Sequence, residues 1–252
     1  MSSALKVGQV SVTLGDTHVL DDISLHVETG EFVSILGPSG SGKSTLFRLL
    51  TGAVQKDKGS IAVGGRALDT AQHGFAFMPQ RDALMPWRRI IDNLTLGLEV
   101  QGVVRKDARE QVMPLLDDFG LAGFERHYPG QLSGGMRQRA ALLRTVVQGR
   151  PIQLLDEPFG ALDALTRTQM QSWFEARWRK ARWTSLLVTH DVREAVALSD
   201  RIYVFSARPA RVIAELAVPA PRPRLGSPAT PEAHALEAKL TDILIHQTGD
   251  NP

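Results

Sequence analysis

The sequence predicts an α/β protein built on a mainly parallel sheet covered on both faces. Short apolar runs of strand type alternate with stretches of helical spacing along most of the chain, the pattern of strand–helix–strand units. One strand–loop–helix junction, Phe32 to Leu50, holds a glycine-rich loop of phosphate-binding pattern. Residues 82–130 lose the alternation and take helical spacing, which reads as a helical insertion into the α/β body.

The elements follow in order. Val10-Ser11-Val12 and Ile23-Ser24-Leu25-His26-Val27 alternate with period two, so each predicts a strand with one buried face. Gly15-Asp16 and Thr29-Gly30 are turn signals beside them. Phe32–Leu36 is apolar at nearly every position and reads as a buried strand, with Leu46–Leu50 as the helix beyond the loop and Gly52 closing it. Ser60–Val63 and Phe75–Met78 are further strands. Arg89–Val100 and Ala108–Phe119 have helical spacing, and Val112, Leu115, Leu116 and Phe119 share one face of the second. Ser133 opens a helix with Ala140, Leu143, Val146 and Val147 on its apolar side, stopped by Gly149-Arg150-Pro151. Ile152–Leu155 is a buried strand, 164–182 a helix, Ser185–Thr189 a strand ending at His190, Val192–Leu198 a short helix and Ile202–Phe205 a strand. The proline-rich stretch 218–231 predicts an extended linker over the surface. An amphipathic helix over 232–247 follows, with Leu236, Leu240, Ile243 and Leu244 on one face.

The loop is the most informative stretch. Gly37-Pro38-Ser39-Gly40-Ser41-Gly42-Lys43-Ser44-Thr45 has a glycine, four free positions, then Gly-Lys-Ser. Its glycines let the backbone curl so that successive N–H groups face one anion, and the helix N-terminus adds partial positive charge. Lys43 is placed to reach the β- and γ-phosphates of a nucleotide, and the Ser44 hydroxyl to bind Mg²⁺. A plain Gly/Ser-rich turn is the competing reading, and the full pattern in strand–loop–helix context outweighs it.

Composition sets the bounds. A chain of 252 residues makes one large domain or two modest ones. No apolar run approaches the roughly 20 residues of a membrane-spanning helix. Residues Met1–Lys6 lack the apolar core of a signal peptide, and the chain has no cysteine, which together predict a cytoplasmic setting without disulfides or thiolate metal sites. A formal net charge of +2 and the lack of a basic run with interleaved aromatics argue against nucleic acid as a partner.

Two more constellations carry chemistry. Asp156 and Glu157 follow the buried strand 152–155, at the end where open α/β sheets bind ligands. Asp156 can hold the Mg²⁺ shell, and Glu157, one residue on and so pointing elsewhere, can polarise an attacking water. In Leu132-Ser133-Gly134-Gly135-Met136, Ser133 is an N-cap and the glycines expose the first helical N–H groups, a second anion site.

On these motifs the chain resembles the nucleotide-binding subunit of ATP-binding cassette (ABC) transporters, over about residues 5–215. Gly37–Thr45 is similar to its Walker A loop, Ile152–Glu157 to Walker B, Gln80 to the Q-loop glutamine and Leu132–Met136 to the signature. Gly160-Ala161-Leu162-Asp163 is similar to the D-loop and His190 to the switch histidine. The resemblance implies a P-loop NTPase of ABC type, with an antiparallel β subdomain and a helical subdomain beside the core sheet. The implied ATPase domain is 1–217: a nucleotide-binding part, 1–81 and 150–217, and a helical part at about 82–149. Residues 218–252 form the linker and C-terminal helix. It implies an ATP hydrolase and transport translocase that uses ATP and Mg²⁺. Two copies sandwich ATP head to tail, with Ser133, Gly134, Gly135 and Asp163 acting on the partner's nucleotide. Glu157 is then the general base or water orienter, and His190 holds it and contacts the γ-phosphate. Gln80 and Ser44 join Asp156 around Mg²⁺. Transmembrane permease subunits are the implied direct partners and a periplasmic or extracellular solute-binding protein an indirect one. The implied location is peripheral, on the cytoplasmic face of the cell (inner) membrane.

Three positions depart from the pattern. Met136 ends the signature where glutamine is common. Leu14 occupies the usual adenine-stacking aromatic position and offers no π face, with His18 nearby as the alternative contact. Gln153 interrupts the strand before Asp156, and a buried glutamine needs partners, which predicts a place near an edge or interface. Met136, the stretch Met78–Arg88 and Pro221-Arg222-Pro223-Arg224 resemble the importer branch for nitrate, sulfonates, taurine and thiamine-precursor pyrimidines. Leu84, Met85, Pro86 and Trp87 form an apolar cluster that is either a permease-binding groove or part of the core. Two competing functions are a soluble ABC ATPase and a non-hydrolysing regulator. The single cassette without cysteine weighs against the first, and intact Asp156, Glu157 and His190 against the second.

Overall fold

The computed structural model describes residues 3–68, 74–160, 162–225 and 230–248. Two sheets organise it. β1 (Ser3–Leu14) and β2 (Thr17–Glu28) form a long antiparallel hairpin, and β4 (Lys58–Val63) and β5 (Arg66–Ala67) extend it in the order β2-β1-β4-β5. The second sheet has six strands. These are β3 (Phe32–Leu36), β6 (Phe75–Met78), β7 (Ile152–Asp156), β8 (Thr184–Thr189), β9 (Arg201–Phe205) and β10 (Val212–Ala217), in the order β10-β9-β3-β8-β7-β6. β9, β3, β8, β7 and β6 run parallel, and β10 closes the edge antiparallel to β9. The fold is therefore α/β with a mainly parallel core sheet and a separate antiparallel sheet.

Period-two alternation divides the core. Phe32, Leu155 and Leu187 face one side of the large sheet, where they pack with Phe174, Trp178 and the helices between β6 and β7. Val33, Ile35, Leu154, Leu186 and Val188 face the other side, against β1, β2 and α1 (Lys43–Leu50). Both faces being buried explains why these strands read as continuous apolar runs.

Between β6 and β7 lie α2 (Ile90–Leu94), α3 (Leu96–Val100), α4 (Arg105–Val112), α5 (Leu115–Asp118) and α6 (Gly134–Val146). The continuous helices expected over 89–100 and 108–119 are each broken. Thr95 separates α2 from α3. Pro114 separates α4 from α5, because it has no N–H to give the preceding turn. The apolar face survives the break, with Val112, Leu116 and Phe119 all buried.

α7 (Ala164–Ala181) and α8 (Val192–Leu198) lie where the spacing placed them. The chain after β10 corrects the surface-linker expectation. Val218 and Ala220 are buried, and Arg222 and Arg224 reach inward to Asp200, Glu175 and backbone carbonyls. α9 (Pro231–Thr248) then packs Ala233, Leu236 and Leu240 onto Ala195 and Val196 of α8. The rest of the expected linker, 226–229, and Gln247 at the end of the expected helix lie outside the residues whose side chains are described. Among the described residues, no helix is long and apolar enough to cross a membrane.

Candidate active site

The phosphate loop leaves the C-terminal end of β3 and runs into α1 at Lys43. Gly42 has φ of 111°, and a Cβ there would sit 2.9 Å from Leu20 Cδ2 and 3.0 Å from Val19 Cγ1, so the hairpin and the backbone both exclude a side chain. Gly37 serves differently from the expected curl. Its φ is ordinary, and its missing Cβ admits the Phe205 carbonyl, which would lie 3.0 Å away. Lys43 is 5 % exposed, and its Nζ donates to Gly37 O at 2.8 Å and Pro38 O at 2.7 Å. Burial lowers its pKa, opposed by the charges of Glu157 and Asp156. Ser41 Oγ is buried and has no hydrogen-bond partner among the described residues. A glycine loop packed too closely on its neighbours to admit side chains, an orphaned hydroxyl and a desolvated ammonium together fit the triphosphate tail of a nucleotide. Pro38, Ser39, Gly40 and Thr45 complete the loop, with Ser39 and Gly40 exposed.

Asp156 and Glu157 part company, as their adjacency predicts. Ser44 Oγ donates to Asp156 Oδ1 at 3.3 Å. Two hard oxygens side by side at the phosphate loop fit Mg²⁺, which takes a carboxylate, a hydroxyl and phosphate oxygens. Burial raises the pKa of Asp156, and the Glu157 charge adds to that, while Ser44 and Lys43 act the other way. Opposite shifts on Lys43 and Asp156 mark a desolvated polar site.

Glu157 sits at φ of 45°, a left-handed conformation that costs a non-glycine residue roughly 1 kcal/mol. Its N–H still bonds Val188 O at 2.9 Å, so the strand pairing holds while the side chain turns away from Asp156. Gln80 Nε2 donates to Glu157 Oε2 at 2.8 Å, and His190 Nδ1 lies 3.1 Å from Oε1. A carboxylate accepting both bonds requires the proton on Nδ1 and leaves His190 Nε2 as the free ring nitrogen. Gln80 and His190, just beyond β6 and β8, thus converge on the Glu157 carboxylate at the end of β7.

Ser133, Gly134, Gly135 and Asp163 form a separate group. Ser133 is exposed and caps α6 by accepting from Met136 N at 3.2 Å. Asp163 caps α7 by accepting from Thr166 N at 3.0 Å, which lowers its pKa. Gly135 lets α6 lie on α7, since a Cβ would meet Thr166 Cγ2 at 3.2 Å. Among the described residues, no hydrogen bond or ion pair joins this group to the phosphate loop. Ala161 of the expected D-loop lies outside the described residues.

Other expectations divide. Leu84 is buried in the core, whereas Trp87 is 74 % exposed, so the apolar cluster is half core and half surface. Leu14 packs on the β1–β2 core, and His18 bonds Thr13 and pairs with Asp21. Gln153 lies on β7 between β6 and β8, not at an edge; its Nε2 bonds Arg150 O at 3.1 Å, and its Oε1 has no partner among the described residues.

Several contributing residues had no sequence pattern to mark them. Arg208 Nη2 donates to Gly40 O at 2.7 Å and buttresses the phosphate loop. Fully buried Asn93 accepts from Met85 N at 2.6 Å and donates to the carbonyls of Met85, Arg88 and Arg89, all at 3.1 Å. Arg144 of α6 donates to Asp82 O and Ala83 O, each at 2.6 Å. The segment presenting Trp87 is therefore tied to the helix that starts at Ser133.

Comparison with known proteins agrees with this geometry. The family model described as "ABC transporter" matches residues 20–160. The formylaminopyrimidine import ATP-binding protein ThiZ of Halalkalibacterium halodurans is 46% identical over 201 residues, covering 80% of this chain and 78% of that protein. The aliphatic sulfonates import ATP-binding protein SsuB 3 of Pseudomonas savastanoi pv. phaseolicola is 41% identical over 248 residues, covering 98% and 88%. The dimeric post-hydrolysis structure of the ATP-binding cassette MJ0796 bound to ADP and Pi superposes with a TM-score of 0.71 at 26% identity, covering 86% of this chain and 99% of that one. A family model matching more than half of the chain, and relatives 41–46% identical along most of it, make this chain a member of the ABC transporter family, as an ATP-binding cassette.

Proposed function

We propose that this chain is the ATP-hydrolysing subunit of an importer and works as a head-to-tail pair. The observation that carries the reading is Glu157, gripped by Gln80 and His190 one residue beyond the Asp156 that bonds Ser44. The loop Gly37–Thr45 binds the phosphates, with Lys43 exchanging its loop carbonyls for phosphate oxygens. Ser44, Asp156 and Gln80 would hold Mg²⁺, which when bound neutralises charge on the phosphoryl oxygens. Glu157 orients the attacking water, and His190 fixes Glu157 and presents its free Nε2 toward the γ-phosphate. Ser133, Gly134, Gly135 and Asp163, joined to their own phosphate loop by no hydrogen bond or ion pair among the described residues, act on the nucleotide of a second copy; the dimeric cassette structure supports pairing. Positioning and charge stabilisation then supply most of the rate.

The importer reading draws support from the relatives, which are named as import ATP-binding proteins, and this favours it over a soluble cassette ATPase. A permease would dock on the surface around exposed Trp87, a solute-binding protein would act indirectly, and the pair would sit at the cytoplasmic face of the membrane. Cargo of the aliphatic sulfonate or formylaminopyrimidine type fits the relatives' names. In this reading 1–81 and 150–217 bind nucleotide, about 82–149 answers to the permease, and within 218–252 the arginines of 222–224 and α9 brace the body.

Turnover by the wild type with Mg-ATP and by Glu157→Gln tests the site. The variant should bind ATP normally and hydrolyse about 10²–10³ times more slowly. Near-wild-type turnover would remove Glu157 from the role given to it.

A further inference from the structure

α7 carries Arg167, Gln171 and Glu175 at intervals of four, so they share one helix face. Gln171 and Glu175 are 7 % and 2 % exposed, an unusual place for a polar stripe. Every member is engaged. Arg167 Nη2 donates to Leu162 O at 3.0 Å, and its Nη1 pairs with Asp191 Oδ2 at 3.8 Å. Gln171 Nε2 donates to Glu194 Oε1 at 3.3 Å. Glu175 receives Arg222 and the backbone N–H of Arg224.

The partners of the first two near His190, Asp191 and Glu194, both follow it, and Glu194 reaches back to Thr189 just before it. Thr189 Oγ1 donates to Glu194 Oε2 and accepts the Asp191 N–H at 3.0 Å. Asp191 Oδ1 in turn caps α8 by accepting from Arg193 N and Glu194 N. The residues before and after His190 are therefore held by the stripe, while the ring itself is more than half exposed and touches Glu157. At its other end Arg167 grips the carbonyl just before Asp163, and Thr166 beside it receives Gly135.

We propose that the Arg167–Gln171 face of α7 positions His190 against Glu157, and so ties Leu162 and Asp163 to the hydrolytic carboxylate. Arg167 is a positioning residue in this scheme and touches no reacting group. The inference rests on the ATPase reading above. It explains why this helix face carries polar groups at two buried positions and one half-buried one, where apolar groups would pack more simply.

The test is a double-mutant cycle on full-length protein, measuring ATP turnover of Arg167→Met, His190→Ala and the double variant. Arg167→Met should lower kcat about tenfold or more with KM for ATP changed less than about twofold, since only orientation is lost. In the double variant the losses should not multiply, because Arg167 acts through His190. An unchanged kcat in Arg167→Met, or losses that multiply, would overturn the proposal while the wild-type and His190→Ala rates leave the ATPase reading standing. Absence of turnover in the wild type with its permease would instead count against that reading. If Arg167→Met does not fold, Asp191→Asn breaks the same pair and keeps the α8 cap, and the same two outcomes apply.

Discussion

Glu194 shows how a single residue can carry a testable energy. Its carboxyl is 5 % exposed, and burial raises its pKa to about 7, although hydrogen bonds from Thr189 and Gln171 act in the opposite direction. The sign follows from linkage. A folded-state pKa above the unfolded 4.5 means that the folded chain binds the proton more tightly. The contribution is fully present below about pH 4.5 and is lost as pH rises through about 7, amounting to about 3 kcal/mol. Denaturant unfolding of the wild type and Glu194→Gln across pH 5–8 should therefore show the wild type losing stability relative to the variant as pH rises. Parallel curves would contradict it. Glu194 illustrates the limit of reading residues in isolation. Lys43, Ser44, Asp156 and Glu157 were legible because they stand in fixed spacing beside a buried strand, and Gln80 and His190 because they join those motifs in a family order. Glu194, Arg167, Arg208 and Asn93 are lone polar residues in helices and loops. Only the fold decides that their partners lie up to 168 positions away, as Gly40 does from Arg208.

At the scale of elements, strands were read more faithfully than helices. A strand buried on both faces announces itself as an apolar run, so β3, β7, β8 and β9 fell where expected. The helices between β6 and β7 kept their apolar face but not their continuity, because spacing alone does not register the missing N–H of Pro114. The tail misled for a related reason. Proline marks a chain outside helix and strand, as 218–225 is, but that does not say whether the surface beneath is water or protein. The arginines between the prolines decide this. Arg222 stacks on Trp178 at 4.4 Å and donates to Asp200 and to Glu175. Arg224 donates to the carbonyls of Ala220, Val196, Ser199 and Val218, and burial lowers its pKa to about 10. Removing Arg222 would leave Glu175 a buried carboxylate short of its ion-pair partner, which costs about 3–5 kcal/mol. Arg222→Met should lower the unfolding free energy by that order, and Arg222→Met with Glu175→Met should restore most of it. A single variant within 0.5 kcal/mol of wild type would show that the tail lies on the body without holding it.

In the proposed reading the molecule as a whole presents a site in two halves. One half is the phosphate loop with Asp156, Glu157, Gln80 and His190, assembled at the ends of parallel strands. The other is the start of α6 and α7, where Ser133 and Asp163 are exposed and, among the described residues, make no hydrogen bond or ion pair to the phosphate loop. Arg137 and Arg144 of α6 bind Asp82 and the carbonyls of Asp82 and Ala83, so the exposed half also holds the segment that carries Trp87. In the proposed reading such a chain completes its site by pairing, and pairing would move the surface offered to a permease. Light scattering of Glu157→Gln, with and without Mg-ATP, tests this most directly. ATP should double the molar mass, and adding Ser133→Arg should abolish the doubling while each copy still binds nucleotide. A Glu157→Gln protein that stays monomeric with ATP bound, or that pairs equally well with Arg at position 133, would contradict the divided site.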